Sequence, residues 1–79
     1  MTLEILTSHK MLFKGEAEMV TLPGVMGSFT VLKNHASLIS VLTKGKVVYR
    51  AYQESAEKSI EIQGGLADVD NNVISVCVY

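Results

Sequence analysis

Apolar residues recur along this chain in short runs, many of them alternating with polar residues, and Gly, Asn or Ser breaks the runs at short intervals. A period of two marks a strand with one face buried, and no window carries the spacing of a long amphipathic helix. Leu3-Glu4-Ile5-Leu6-Thr7 predicts a first strand, with Leu3 and Ile5 on one face and Glu4 on the other, closed by a turn at Ser8-His9-Lys10. Glu16 to Leu22 predicts a second run whose parity changes midway. Ala17 and Met19 share one face, Val20 and Leu22 the next register. A β-bulge near Met19 or Val20 accounts for the change, as does burial on both faces.

The stretch from Val20 to Leu38 reads as strand, tight turn, strand, loop. Pro23 presets φ for the first central position of a type II turn, and Gly24 takes the positive φ needed at the second. Gly27 adds another permissive hinge, which leaves Val25 and Met26 on a small loop bounded by glycines. An apolar loop tip points to a contact with something else. Further on, Gly45 to Tyr52 predicts a strand with Val47, Tyr49 and Ala51 inward and Lys46 and Arg50 outward. A polar connection, Gln53 to Glu57, leads to Lys58-Ser59-Ile60-Glu61-Ile62, which pairs back with Ile60 and Ile62 inward. Gly64 and Gly65 bend the chain into Leu66 to Val69, and Asp70-Asn71-Asn72 supplies side chains that tolerate left-handed turns. The last run, Val73 to Tyr79, is apolar on both sides apart from Ser75, which places it mid-sheet or under a partner. The fold class that follows is all-β: a two-sheet antiparallel β-sandwich of about eight to ten short strands, one domain over residues 1–79.

Composition adds the expectation of a partner. Cys77 is the single cysteine, so no disulfide can form within the chain, and His9 and His35 are too few to complete a closed zinc site with it. Chains of about this size are usually helped by such staples or by association. Here 48% of residues are apolar and the net charge is −1, which gives little electrostatic defence against association. There is no basic excess for nucleic acid. The N-terminus lacks the charged start and long apolar run of a signal peptide, and no apolar run approaches the roughly 20 residues that span a bilayer. These features suit a soluble domain in a reducing, cytoplasm-side compartment.

Candidate chemistry is sparse. Cys77 lies in an apolar run and reads as a buried, inert thiol. His9 reads as a solvated turn residue. His35 either fastens its loop by hydrogen bonds to the backbone or makes a contact. The acids are scattered over exposed strand faces, where general acid–base work needs a positioned pair. Gly24-Val25-Met26-Gly27 lacks the Gly-Lys-Ser/Thr ending and the helix of a phosphate loop, and Lys44-Gly45-Lys46 fails the same test. The aromatic residues do not interleave with basic ones, so no base-stacking platform is expected. The chain reads as a non-enzyme with no metal and no cofactor.

The blocks Leu12-Phe13-Lys14-Gly15-Glu16-Ala17, Val20 to Leu38 and Ile62-Gln63-Gly64-Gly65, in that order, resemble the N-terminal β-sandwich of the epsilon subunit of F-type ATP synthases, called delta in mitochondria. The resemblance runs from Leu3 to about Val78. It implies a rotor subunit of the central stalk that clamps the gamma shaft to the membrane c-ring, so that proton-driven ring rotation reaches the catalytic head. The partners it implies are gamma and the c-ring, and the place is the cytoplasmic face of a bacterial-type inner membrane, peripheral and held there through the complex. The family's ring-contacting loop falls on Met26, Gly27, Ser28 and Phe29. Family members often carry an acid near Ser28, where this chain has a hydroxyl, so the contact leans on Met26, Phe29 and backbone groups. The family's Pro-Gly-His-Ala-Pro-Leu block appears as Lys33-Asn34-His35-Ala36-Ser37-Leu38. Both prolines are lost, and Asn34 replaces glycine at a left-handed position. His35 and Leu38 are assigned to the gamma or rotor side, and Pro23, Gly24, Gly64 and Gly65 to turns.

Many family members continue into a C-terminal helical hairpin that extends along gamma and blocks ATP hydrolysis. The sequence stops at Tyr79, and the expectation is coupling without that inhibition and without a C-terminal helical domain. Two other readings compete. A free-standing β-sandwich module for carbohydrate or peptide would normally show an aromatic platform, whereas this chain has no Trp and its Tyr49 and Tyr52 lie on opposite strand faces. A small homo-oligomeric structural domain would pack its apolar faces on a second copy.

Overall fold

One long strand organises the molecule. The computed structural model describes residues 1–79 as eight strands: β1 (Thr2–Leu6), β2 (Met11–Gly24), β3 (Gly27–Leu32), β4 (Leu38–Leu42), β5 (Gly45–Ala51), β6 (Lys58–Ile62), β7 (Gly65–Asp70) and β8 (Val73–Val78). There is no helix. The first half of β2 pairs with β1 and its second half pairs with both β3 and β5, while Gly24 bridges to Leu42 of β4. Strand β2 therefore belongs to both layers of the sandwich. One layer runs β4-β7-β8-β1 and on to the first half of β2; the other holds β3, the second half of β2, β5 and β6.

The change of parity read along β2 is a bulge. The register against β5 shifts between Ala17 and Met19, which leaves Glu18 as the extra residue, one position ahead of the expected place. Ala17, Val20 and Leu22 consequently all point inward and are buried. The Glu18 carboxylate takes up the geometry that the bulge creates. It accepts the Gln53 backbone N–H at 3.1 Å and lies 3.5 Å from Arg50 Nε on β5.

The alternating runs fold as expected. Leu3 and Ile5, Val47 and Tyr49, and Ile62 join Val31, Ala67, Val69, Ile74, Val76 and Val78 in one core. Phe13 of the first half of β2 meets Tyr49 of β5 with ring centroids 4.5 Å apart. Asn71 and Asn72 close the β7–β8 hairpin with φ of 50° and 59°, the positive values that a two-residue mirror-image turn requires. Every ladder is antiparallel except β1 with β8. These two strands are not joined by a short connection, so no hairpin forces them antiparallel.

Three expectations need correction. Pro23 and Gly24 do not form the turn. Both lie inside β2, and the turn is Val25–Met26, closed by the Gly24–Gly27 pair. The Pro23 carbonyl accepts the Thr43 N–H at 2.8 Å, which keeps that residue in the ladder. Neither Val25 nor Met26 has positive φ, and Gly27, at φ 126°, absorbs the twist. The second strand also starts earlier, at Met11, because Lys14 and Glu16 alternate outward along it. Cys77 is exposed, not buried. Strand β8 does lie mid-sheet between β1 and β7, but nothing covers the outer face of that sheet, so a central strand has one wet side. Cys77 should therefore react with a thiol reagent in the native state at the rate of an exposed thiol. Labelling that waits for global unfolding would contradict this placement.

Candidate functional site

The apolar tip of the β2–β3 hairpin is built from backbone constraints. Val25 donates its N–H to the Val41 carbonyl at 3.0 Å, so the tip is tied to β4 as well as to β3. Met26 is 97% exposed and Val25 54%, while Gly27 and Ser28 are also exposed. Phe29 is different: its ring turns in against the core and lies so close to Gly24 that a Cβ there would sit 3.0 Å from it. The four residues assigned to one contact are thus together at one end, three presented outward and the aromatic ring beneath them as support.

His35 and Leu38 lie at the other end. Strand β3 separates the tip from the His35 loop, and at about 3.3 Å per residue its length puts His35 roughly 17 Å from the tip. Leu38 opens β4, three residues or roughly 10 Å along that strand from Val41, which is bonded to the tip. Asn34 adopts φ 65°, the left-handed conformation expected of a residue standing in for glycine. Its N–H donates to the Asn72 side-chain oxygen at 2.6 Å, and the Asn72 amide donates back to the Asn34 side-chain oxygen at 3.0 Å. Ser37 donates to Asp70 at 2.6 Å. Two side-chain links thus fasten this loop to the β7–β8 turn. His35 is half-buried with Nδ1 2.7 Å from the Ala36 carbonyl, which sets that nitrogen as the donor and turns the ring to holding its own loop. Replacing Asn72 by glycine keeps the left-handed turn and deletes the link. It should cost about 1 kcal/mol of stability and speed exchange of the Asn34 amide. An unchanged exchange rate would show that the loop holds its shape without Asn72.

A hollow of about 600 Å³ opens at this same end, lined in part by Met1, Glu16, Glu18, Lys33, Tyr52 and Asn72. Its carboxylates are already occupied. Glu16 accepts from Thr2 at 2.7 Å and lies 3.6 Å from the N-terminal ammonium, and Glu18 serves the bulge. No group of three or more His, Cys, Asp or Glu side chains stands where it could hold a metal ion. Gly64 and Gly65 sit at the tip end as close-approach positions. A Cβ on Gly64 would lie 2.5 Å from the Tyr79 hydroxyl, and one on Gly65 would overlap the Cys77 carbonyl oxygen.

One feature escaped the sequence. Cross-strand register places Val41, Leu66, Cys77, Leu6 and Met11 in a single row over the outer face of the β4-β7-β8-β1 layer. Val41, Leu66 and Met11 are 56%, 45% and 49% exposed, and the row begins beside the hairpin tip. The apolar character of Leu38–Leu42 and Val73–Tyr79 on both faces was the available signal. It did not say which side chains would line up.

The family model for the "ATP synthase, Delta/Epsilon chain, beta-sandwich domain" matches residues 1–79. The ATP synthase epsilon chain of Chlorobaculum tepidum is 41% identical over 71 residues, covering 90% of this chain and 80% of that protein. That of Sulfurimonas denitrificans is 42% identical over 76 residues, covering 96% of this chain and 58% of that protein. In fold, the chain is similar to one in the cryo-EM structure of the Euglena gracilis mitochondrial ATP synthase with OSCP, F1 and c-ring. The TM-score is 0.88 at 20% identity, over 96% of this chain and 48% of that one. A chain in the Tetrahymena thermophila mitochondrial ATP synthase central stalk and c-ring gives 0.81 at 19% identity, over 98% and 61%.

Proposed function

Since the chain belongs to the ATP synthase delta/epsilon chain β-sandwich family, we propose that it is a non-catalytic central-stalk subunit of a proton-translocating F-type ATP synthase. In this reading it clamps the gamma subunit to the c-ring at the cytoplasmic face of a bacterial-type inner membrane. On the same reading it is held there peripherally, through the complex; no helix is long and apolar enough to cross a membrane. The observation that supports the reading is that an exposed apolar tip and a loop fastened by side-chain links lie at opposite ends of one body. The exposed tip of Met26, Gly27 and Ser28, backed by Phe29, faces the ring loops; the loop of His35 and Leu38 faces gamma or the rotor side.

The task is mechanical, and the ladders suit it. Force applied at Met26 enters β2, which is hydrogen-bonded into both layers, and enters β4 through the Val25–Val41 bond. A load at the tip is therefore shared by strands of both sheets instead of bending one hairpin. Membranes stripped of their own epsilon chain should regain ATP-driven proton pumping when this chain is added. Failure to restore pumping, with the added chain folded, would overturn the coupling role.

A further inference from the structure

Strand β3 is an open edge. It pairs with β2 and with nothing else, and its outer side carries no ladder. Edges of this kind invite pairing with another chain, and proteins usually guard them with charge, proline or a bulge. The opposite edge of the same layer, β6, is guarded by exposed Lys58 and Glu61. Strand β3, Gly27-Ser28-Phe29-Thr30-Val31-Leu32, has no charge, no proline and no bulge in its register. From Val20 to Leu42 the one formally charged side chain is Lys33, beyond the end of the strand. Strand β4 is also uncharged, but its outer edge is already closed at Val41 by the Val25 N–H.

The hydrogen-bond alternation shows what β3 offers. Pro23 O and Val25 N point to β4, so Gly24 points to its partner Gly27, and the pairs Leu22–Phe29 and Val20–Val31 follow in phase. Ser28, Thr30 and Leu32 then direct their N–H groups outward, and Ser28 and Thr30 their carbonyls too. The Leu32 carbonyl is taken by the His35 N–H at 3.2 Å. These groups suit an extended segment of about five residues.

We propose that β3 receives such a segment from the gamma subunit, which extends the β3-β2-β5-β6 layer by one strand. This rests on the stalk reading above. A second copy of this chain is the weaker occupant, because a few edge hydrogen bonds, each worth about 1 kcal/mol net, do not hold a dimer alone. With gamma taken as the partner that the His35 loop faces, its strand is delivered at high effective concentration, since β3 leads directly into that loop. The absence of charge along β3 calls for an uncharged, alternating apolar segment, whose side chains would cover the exposed Leu32.

Thr30→Pro tests this selectively. It removes an outward N–H and leaves the β2–β3 ladder intact, since that ladder uses Phe29 and Val31. Thr30→Val is the control, because it loses only the hydroxyl contact with Thr21 and keeps the N–H. Thr30→Val should bind purified cognate gamma as the parent does, and Thr30→Pro about tenfold or more weaker. In the unsubstituted complex, exchange of the Ser28 and Thr30 amides should slow by about tenfold or more, a readout independent of how the proline variant folds. Equal binding by both variants, with unprotected Ser28 and Thr30 amides in a formed complex, would overturn strand addition and leave the stalk reading standing. Absence of any complex with gamma would overturn both.

Discussion

Gly65→Ala should lower the Tm of this domain by about 15 °C or unfold it at room temperature. A Cβ at that position would overlap the Cys77 carbonyl oxygen and lie 3.1 Å from Val78 Cα. Both obstacles are backbone of β8, held by the ladder Gly65↔Val78 and Leu66↔Cys77, so the clash is relieved only by parting β7 from β8. Overpacking costs about 1–3 kcal/mol, and a rigid backbone obstacle puts this case at the upper end. In a domain of this size each kcal/mol moves Tm by about 4–8 °C. The neighbouring Gly64→Ala is the informative comparison. Its nearest obstacle is the end of the Tyr79 side chain, which is 77% exposed and free to swing away. That variant should lose no more than about 1 kcal/mol. Equal losses at the two positions, by thermal unfolding followed by circular dichroism, would mean that close approach of β8 is not what demands glycine at Gly65.

Met26→Asp should weaken assembly into the rotor by about thirtyfold while leaving the fold untouched. Met26 is almost wholly exposed, and surface changes of this kind usually alter stability by about 0.5 kcal/mol or less. A central apolar anchor of an interface is worth about 2 kcal/mol or more, and here a buried charge would replace it. Phe29→Ala should behave differently. Its ring packs against the core and against Gly24, so its loss should cost about 2 kcal/mol of stability and weaken assembly through the tip it supports. Binding to the detergent-purified c-ring and thermal unfolding, measured on both variants, separate the two effects. If Met26→Asp bound as tightly as the parent, the tip would not be the ring contact.

Much of this fold was legible because β-strands report themselves at a period of two. Leu3 and Ile5, Val47 and Tyr49, and Ile62 announced their inward faces by alternation, and Asn71-Asn72 announced a left-handed turn by side-chain chemistry. The bulge at Glu18 was legible as a broken parity. Its exact position was not, since the register against β5 selects it. The turn was misplaced by a strong local preference. Pro23-Gly24 suits a type II turn, but the ladder to Leu22–Phe29 and the Thr43 bond to Pro23 carry β2 two residues further, with Gly27 taking the positive φ. Tertiary hydrogen bonding outweighed turn propensity there. Cys77 was misread because apolarity on both faces of β8 does not say whether the outer face is covered. For the candidate site, the tip residues were visible as apolar residues between glycines. The strand between the tip and the His35 loop was legible as well; that Asn72 and Asp70 fasten that loop was not, because those links span more than 30 residues.

The stalk reading stands or falls on whether this sandwich joins gamma. Size-exclusion chromatography with mass detection, on the purified chain mixed with its cognate gamma subunit, should give a one-to-one complex, heavier than gamma by the 8.6 kDa of one sandwich. Two separate peaks, with both proteins shown to be folded, would contradict the account and leave a β-sandwich with an apolar tip whose partner lies elsewhere.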